Sequence, residues 1–130
     1  MTVDELARAY VTKASKRRRV LEVLLEEEAY SDVVREAQEL VELALKGMLR
    51  LVGIDPPKWH DVGPILKEQE HLFPEWIKGH LGQLADISRW LRKEREFAFY
   101  GDVDFIPTEE YAREDAERAI QDALFVLDKV

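Results

Sequence analysis

The sequence predicts an all-α protein: an antiparallel up-and-down bundle of four main helices plus one short helix, folded as a single domain over residues 1–130. Three observations carry that expectation. Apolar residues recur at three- and four-residue spacing along nearly the whole chain. No stretch alternates with period two for long enough to build a sheet, apart from an ambiguous fragment from Phe97 to Phe105. The connections between periodic segments are short, which favours antiparallel neighbours.

From Val3 to about Glu28, apolar positions such as Leu6, Tyr10, Ala14, Leu21 and Leu25 fall on one helical face with no Gly or Pro between them, so the first helix is expected there. A break near Tyr30-Ser31 lets Ser31 cap the second helix, with Asp32 beside its positive end. The second helix runs to about Val52 and is the most regular in the chain. Val33, Ala37, Leu40, Val41, Ala44, Met48 and Leu49 form its buried face, and Glu36, Glu39, Glu42, Lys46 and Arg50 the opposite one. Gly53 supplies a left-handed cap, and Pro56-Pro57 prevents continuation.

A shorter helix is expected from about Trp59 to Glu70, with Pro64 in its first turn and Val62, Ile65 and Leu66 facing inward. Pro74 then opens a long helix reaching about Tyr100, with Ile77, Leu81, Leu84, Ile87, Leu91 and Ala98 on one stripe. Gly79 and Gly82 each weaken its start by up to about 1 kcal/mol relative to Ala. Gly101 to Pro107 reads as a loop. Thr108 is the expected N-cap of the last helix, whose inner face is Ala112, Ala116, Ala119, Ile120, Ala123 and Leu127.

A chain of 130 residues suits one domain and buries roughly two thirds of the surface its unfolded form exposes. Nineteen Lys and Arg against 27 Asp and Glu give a net charge of −8, which disfavours nucleic acid, RNA included, as a default ligand. Cysteine is absent, excluding disulfides, thiol catalysis and Cys-ligated zinc, and making the cytoplasm the natural compartment. No apolar run approaches the roughly 20 residues that span a bilayer, so no membrane is expected. The early residues Asp4, Glu5 and Arg8 leave no signal-peptide core. Charged residues at 35% with no asparagine match thermophile composition.

The segment LALKGMLRLVGI, a Pro-containing turn, WHDVGPIL, and a long helix ending in RWLRKEREFAFYGD together resemble the HEPN family, the nucleotide-binding domain of higher eukaryotes and prokaryotes. The resemblance covers nearly the whole chain. Its details are Glu36-Ala37, Lys46, the Gly53 stop, His60-Asp61 at the short helix, and Arg95 followed by Tyr100. It implies a helical bundle that forms a homodimer and partners a minimal nucleotidyltransferase, as in toxin–antitoxin pairs, without metal or other cofactor. Many members are ribonucleases whose motif is an arginine, four to six residues and a histidine, joining a phosphate-binding cation to a general acid/base.

Here that motif is missing. The histidine positions hold Glu94, Arg95 and Glu96 after Arg89, then Phe97, Ala98 and Phe99 after Arg92, and Tyr100, Gly101 and Asp102 after Arg95. None of His60, His71 and His80 has an arginine at the required distance upstream. The resemblance therefore implies a non-enzymatic binding domain for a nucleotide or the nucleotidyltransferase. The alternatives are a metal-independent ribonuclease with a rearranged site in which His60 meets Arg92 or Arg95, and a purely structural bundle.

Arg89, Arg92 and Arg95 with Tyr100 are the expected nucleotide contacts, through phosphate gripping and base stacking. The same cations also suit a solvated helix end that complements the C-terminal dipole. His60-Asp61 reads either as an imidazole oriented by a carboxylate or as a helix cap with His60 and Trp59 packed on the second helix. Lys13 and Lys16 to Arg19 form the densest basic run, with Glu22, Glu26, Glu27 and Glu28 at hand for pairing. Glu68-x-x-His71 has the spacing of a di-iron ligand pair, but no second such pair exists, so no metal is expected. Trp90, Phe97, Phe99 and Tyr100 exceed what one stripe buries and give the dimer an independent motive.

Overall fold

In a computed structural model the described residues are 3–58, 61–99 and 106–130, and every described element is helical. These are α1 (Val3–Glu26), α2 (Tyr30–Leu51), α3 (Gly63–Glu68), a 3-10 turn (Glu70–Leu72), α4 (Glu75–Lys78), α5 (Leu81–Phe99), α6 (Pro107–Glu110) and α7 (Arg113–Lys129). The long helices α1, α2, α5 and α7 make the bundle, mostly antiparallel. The expected fold class is the observed one.

α2 is the hub. It packs against α1, α5 and α7, and twelve of its 22 residues are buried, too many for a helix with one buried stripe. All seven apolar residues expected to face inward do so. α1 meets it through a seven-residue repeat of buried positions, Ala7, Ala14 and Leu21. The approach is close because Gly47 lies beneath α1: a Cβ there would stand 3.1 Å from the Ala7 carbonyl oxygen and 3.2 Å from Tyr10 Cβ. α7 likewise presents small residues, Ala116, Ala119 and Ala123, with Val126.

Two turns have the same hydrogen-bond pattern with different residues. After α2, Gly53 sits at φ +84, Ile54 N–H donates to the Leu49 carbonyl (2.9 Å) and Gly53 N–H to that of Arg50 (3.0 Å). After α1, Glu28 takes the left-handed position at φ 58, Ala29 N–H donates to Leu24 (2.9 Å) and Glu28 N–H to Leu25 (3.0 Å). This turn makes Ala29 the residue before α2 and places Ser31 inside the helix, buried. Ser31 is therefore not the cap.

The expected long helix from Pro74 is interrupted. α4 ends at Lys78, and His80 N–H donates to the Ile77 carbonyl (2.8 Å) in a tight turn before α5 begins. Nothing packs within 4 Å of where a Cβ would be on Gly79 or Gly82, so no contact offsets their low helix propensity. The stripe from Ile77 through Leu91 to Ala98 is nonetheless buried throughout. Thr108 lies within α6 and does not cap the last helix. Ala112, expected on that helix's inner face, is exposed and instead precedes it, its N–H donating to Asp115 Oδ2 at 2.8 Å. Of the loop expected from Gly101 to Pro107, residues 101–105 lie outside the described residues.

Candidate functional site

The polar face of α2 faces a neighbouring helix along part of its length. Gln38, 2% exposed, accepts a hydrogen bond from Arg95 Nε on α5 at its Oε1 (2.7 Å) and donates from Nε2 to Glu42 Oε1 (3.0 Å). Glu42 in turn accepts from Lys46 Nζ at 3.1 Å, and Arg95 Nη2 reaches Glu39 Oε1 at 2.6 Å. The Glu42 and Lys46 side chains are 15% and 12% exposed, far less than a solvated face would give. Two cations and two carboxylates thus balance, Arg95 with Glu39 in a seam between α5 and α2 and Lys46 with Glu42 along α2. A buried amide joins them, using both its donor and acceptor ends. Helical periodicity sorts these residues correctly from the apolar ones. It carries no signal that their face meets Arg95 rather than water.

The cations expected to serve a nucleotide are therefore placed differently from one another. Arg95 is held in the seam. Arg92 and Lys93 are exposed on α5, and Arg89 is exposed with its guanidinium 3.6 Å from Asp86. Arg89 also lines a cleft between α3 and α5 with Asp61, Lys67 and Asp86. His60, Trp59 and Tyr100 lie outside the described residues. Their roles remain expectations from the sequence.

Asp61 anchors the start of α3. Its Oδ1 accepts from Gly63 N–H (2.9 Å) and from the Ser88 hydroxyl (2.8 Å), while Ser88 Oγ accepts from Val62 N–H (3.3 Å). Ser88 is buried on α5, so the motif fixes α3 onto that helix. The N-cap position itself is Val62, so Asp61 serves the helix start from one residue before the cap. Glu68 and His71 are both exposed, and among the described residues no cluster of ligand side chains could hold a metal.

Two longer-range contacts complete the region. Tyr111 donates its hydroxyl to Glu94 Oε2 at 2.8 Å, and burial followed by that bond raises its pKa well above the ordinary value. Trp90 Nε1 donates to Asp122 Oδ2 at 2.9 Å, and the Arg118 guanidinium stacks 4.2 Å over its ring. Trp90 is thus partnered within the chain. Within the basic run on α1, Arg19 pairs locally, 2.9 Å from Glu22 and 3.8 Å from Glu26, as expected of a solvated face, whereas Arg17 is partly buried and lies 3.9 Å from Glu36 on α2.

This arrangement defines a class: a helical bundle built round one enclosed helix, with its interior charges gathered between that helix and an arginine-bearing neighbour. The chain belongs to the HEPN domain family, whose family model matches residues 7–130. It is 28% identical over 131 residues to a candidate toxin of Methanocaldococcus jannaschii, an alignment covering 95% of this chain and 85% of that protein. No solved structure matches it at a significant level.

Proposed function

We propose that this chain is a HEPN binding subunit that acts with a minimal nucleotidyltransferase in a toxin–antitoxin type of pair, and that it is not a ribonuclease of the arginine–histidine kind. The observation that carries this reading is the state of Arg95. Its guanidinium already meets Gln38 and Glu39 at 2.7 and 2.6 Å, so it has much less to offer an RNA phosphate than an uncommitted cation would. The absent arginine–histidine spacing supports the same conclusion, and the candidate toxin among the relatives supports the two-component setting. On this reading Arg89 and Arg92 present the cationic edge of α5 to a nucleotide phosphate. Tyr100 follows them in sequence as a stacking group, and Arg95 steadies the helix that carries them. The subunit acts as a homodimer.

The test is co-expression with a minimal nucleotidyltransferase, followed by purification and ATP titration. The expected result is a stable complex, with saturable ATP binding that Arg89→Ala/Arg92→Ala abolishes. Failure to co-purify removes the partner role. Cleavage of single-stranded RNA in EDTA, lost on His60→Ala, would replace this reading with the rearranged ribonuclease.

A further inference from the structure

The charges of α1 are segregated along its length. Residues 13–19 hold the cations Lys13, Lys16, Arg17, Arg18 and Arg19 and no acid, whereas residues 22–28 hold Glu22, Glu26, Glu27 and Glu28 and no cation. The arrangement is unfavourable for a helix by itself, because its last turn has no basic residue where the dipole is negative. Among the described residues only Arg19 answers those glutamates, at Glu22 and Glu26, while Arg17 turns to Glu36 on α2. Lys13, Lys16 and Glu27 are exposed and make no ion pair among the described residues.

These unanswered charges share one face. Lys13, Lys16, Val20, Val23 and Glu27 follow one another at alternating steps of three and four, the seam spacing of paired helices, and all are exposed. Glu27 stays in line because its N–H still donates to the Val23 carbonyl at 3.0 Å. Val20 and Val23, 42% and 40% exposed, lie at the centre, with the lysines on one side and the glutamate on the other. The face is turned away from Ala7, Ala14 and Leu21, which α1 buries against α2.

A strip that is basic on one side of an apolar centre and acidic on the other is complementary to itself after half a rotation. We propose that α1 pairs antiparallel with α1 of a second copy, about a two-fold axis between Val20 and Val23. The axis sets Val20 of each copy against Val23 of the other and Lys16 against Glu27, with these charges about 8 Å from the axis along the helix. A parallel pair would set Lys16 against Lys16 and Glu27 against Glu27, so the charges choose the direction. They also supply a local attraction between copies whose net charge of −8 makes them repel. This inference rests on the homodimer of the proposed function and names its interface.

Sedimentation equilibrium of the full chain measures the dimer dissociation constant, and circular dichroism checks that each variant stays helical. Lys16→Glu and Glu27→Lys each place like charges at both symmetry-related contacts and should each weaken the dimer about tenfold. The double variant Lys16→Glu/Glu27→Lys exchanges the charges and should return to within about threefold of the parent. High salt should weaken the parent dimer and narrow the gap between it and the single reversals. Val20→Ser/Val23→Ser should weaken the dimer at any salt. A parent chain that stays monomeric overturns the homodimer and this interface together. A dimer unmoved by the single reversals or by Val20→Ser/Val23→Ser overturns the α1 face and leaves the homodimer standing. Reversals that weaken the dimer without rescue in the double variant overturn the antiparallel register.

Discussion

At Glu28 an ordinary side chain occupies a backbone conformation that favours glycine, at φ 58, in the same hydrogen-bonded turn that Gly53 makes after α2. The left-handed conformation costs an L-residue about 1–2 kcal/mol, part of which glycine gives back through its freer unfolded chain. Glu28→Gly should therefore stabilise the protein by about 0.5–1 kcal/mol in urea unfolding, and Gly53→Ala should destabilise it by about 1 kcal/mol. Tyr111 makes a prediction in pH. Its pKa is raised in the folded state, so the unfolded chain loses that proton first as pH climbs past the ordinary 10.0. The Tyr111 contribution is complete below that pH and shrinks above it. Tyr111→Phe should flatten the alkaline fall in thermal midpoint above about pH 10. Neither effect is legible in the sequence. Glu28 looks like one more acid in an acidic run, and the Tyr111–Glu94 bond joins residues on different elements.

Between elements, two contacts decide how closely the helices lie. A Cβ on Gly63 would stand 3.0 Å from the Ala85 carbonyl oxygen and 3.1 Å from Asp61 Oδ1, so Gly63→Ala must push α3 away from α5. A loss of about 1–3 kcal/mol is expected, measured by urea unfolding. The Arg95 seam should behave as structure too. Arg95→Ala removes bonds to Gln38 and Glu39 and should cost about 1–2 kcal/mol, moderated because both charged side chains keep roughly a quarter of their exposure. Arg92→Ala, on the exposed side, should stay within about 0.5 kcal/mol of the parent. Equal costs for the two would remove the distinction drawn between them. The elements themselves were largely readable: the α2 periodicity, the Gly53 and Pro56-Pro57 stop and the α5 stripe all correspond to observed structure. The misread boundaries, Ser31 and the continuous helix from Pro74, have separate causes. The turn after α1, closed by Ala29 N–H on the Leu24 carbonyl, starts α2 before Ser31, and Gly79 and Gly82, with no packing to offset their low helix propensity, lie where the helix from Pro74 breaks.

For the whole molecule, the all-α class follows from periodicity alone, because a chain that repeats at helical spacing has no other way to bury its apolar face. The roles of its charges were less readable, because a polar residue facing water and one facing a neighbour's guanidinium have the same one-letter code. Light scattering at micromolar concentration should give twice the 15.2 kDa of one chain if the homodimer forms, and monomer alone would contradict it. Amphipathic helices slide easily, since one apolar turn resembles the next, and a shift of one turn moves α5 by about 5.4 Å along α2. At that offset Arg95 would leave both Gln38 and Glu39, and the charges on α2 would lose their counterpart at shallow depth. The wrong alignments are thus made costly by a few side chains that do little to favour the fold as such. Replacing them with apolar residues should leave a helical protein that no longer keeps a single alignment.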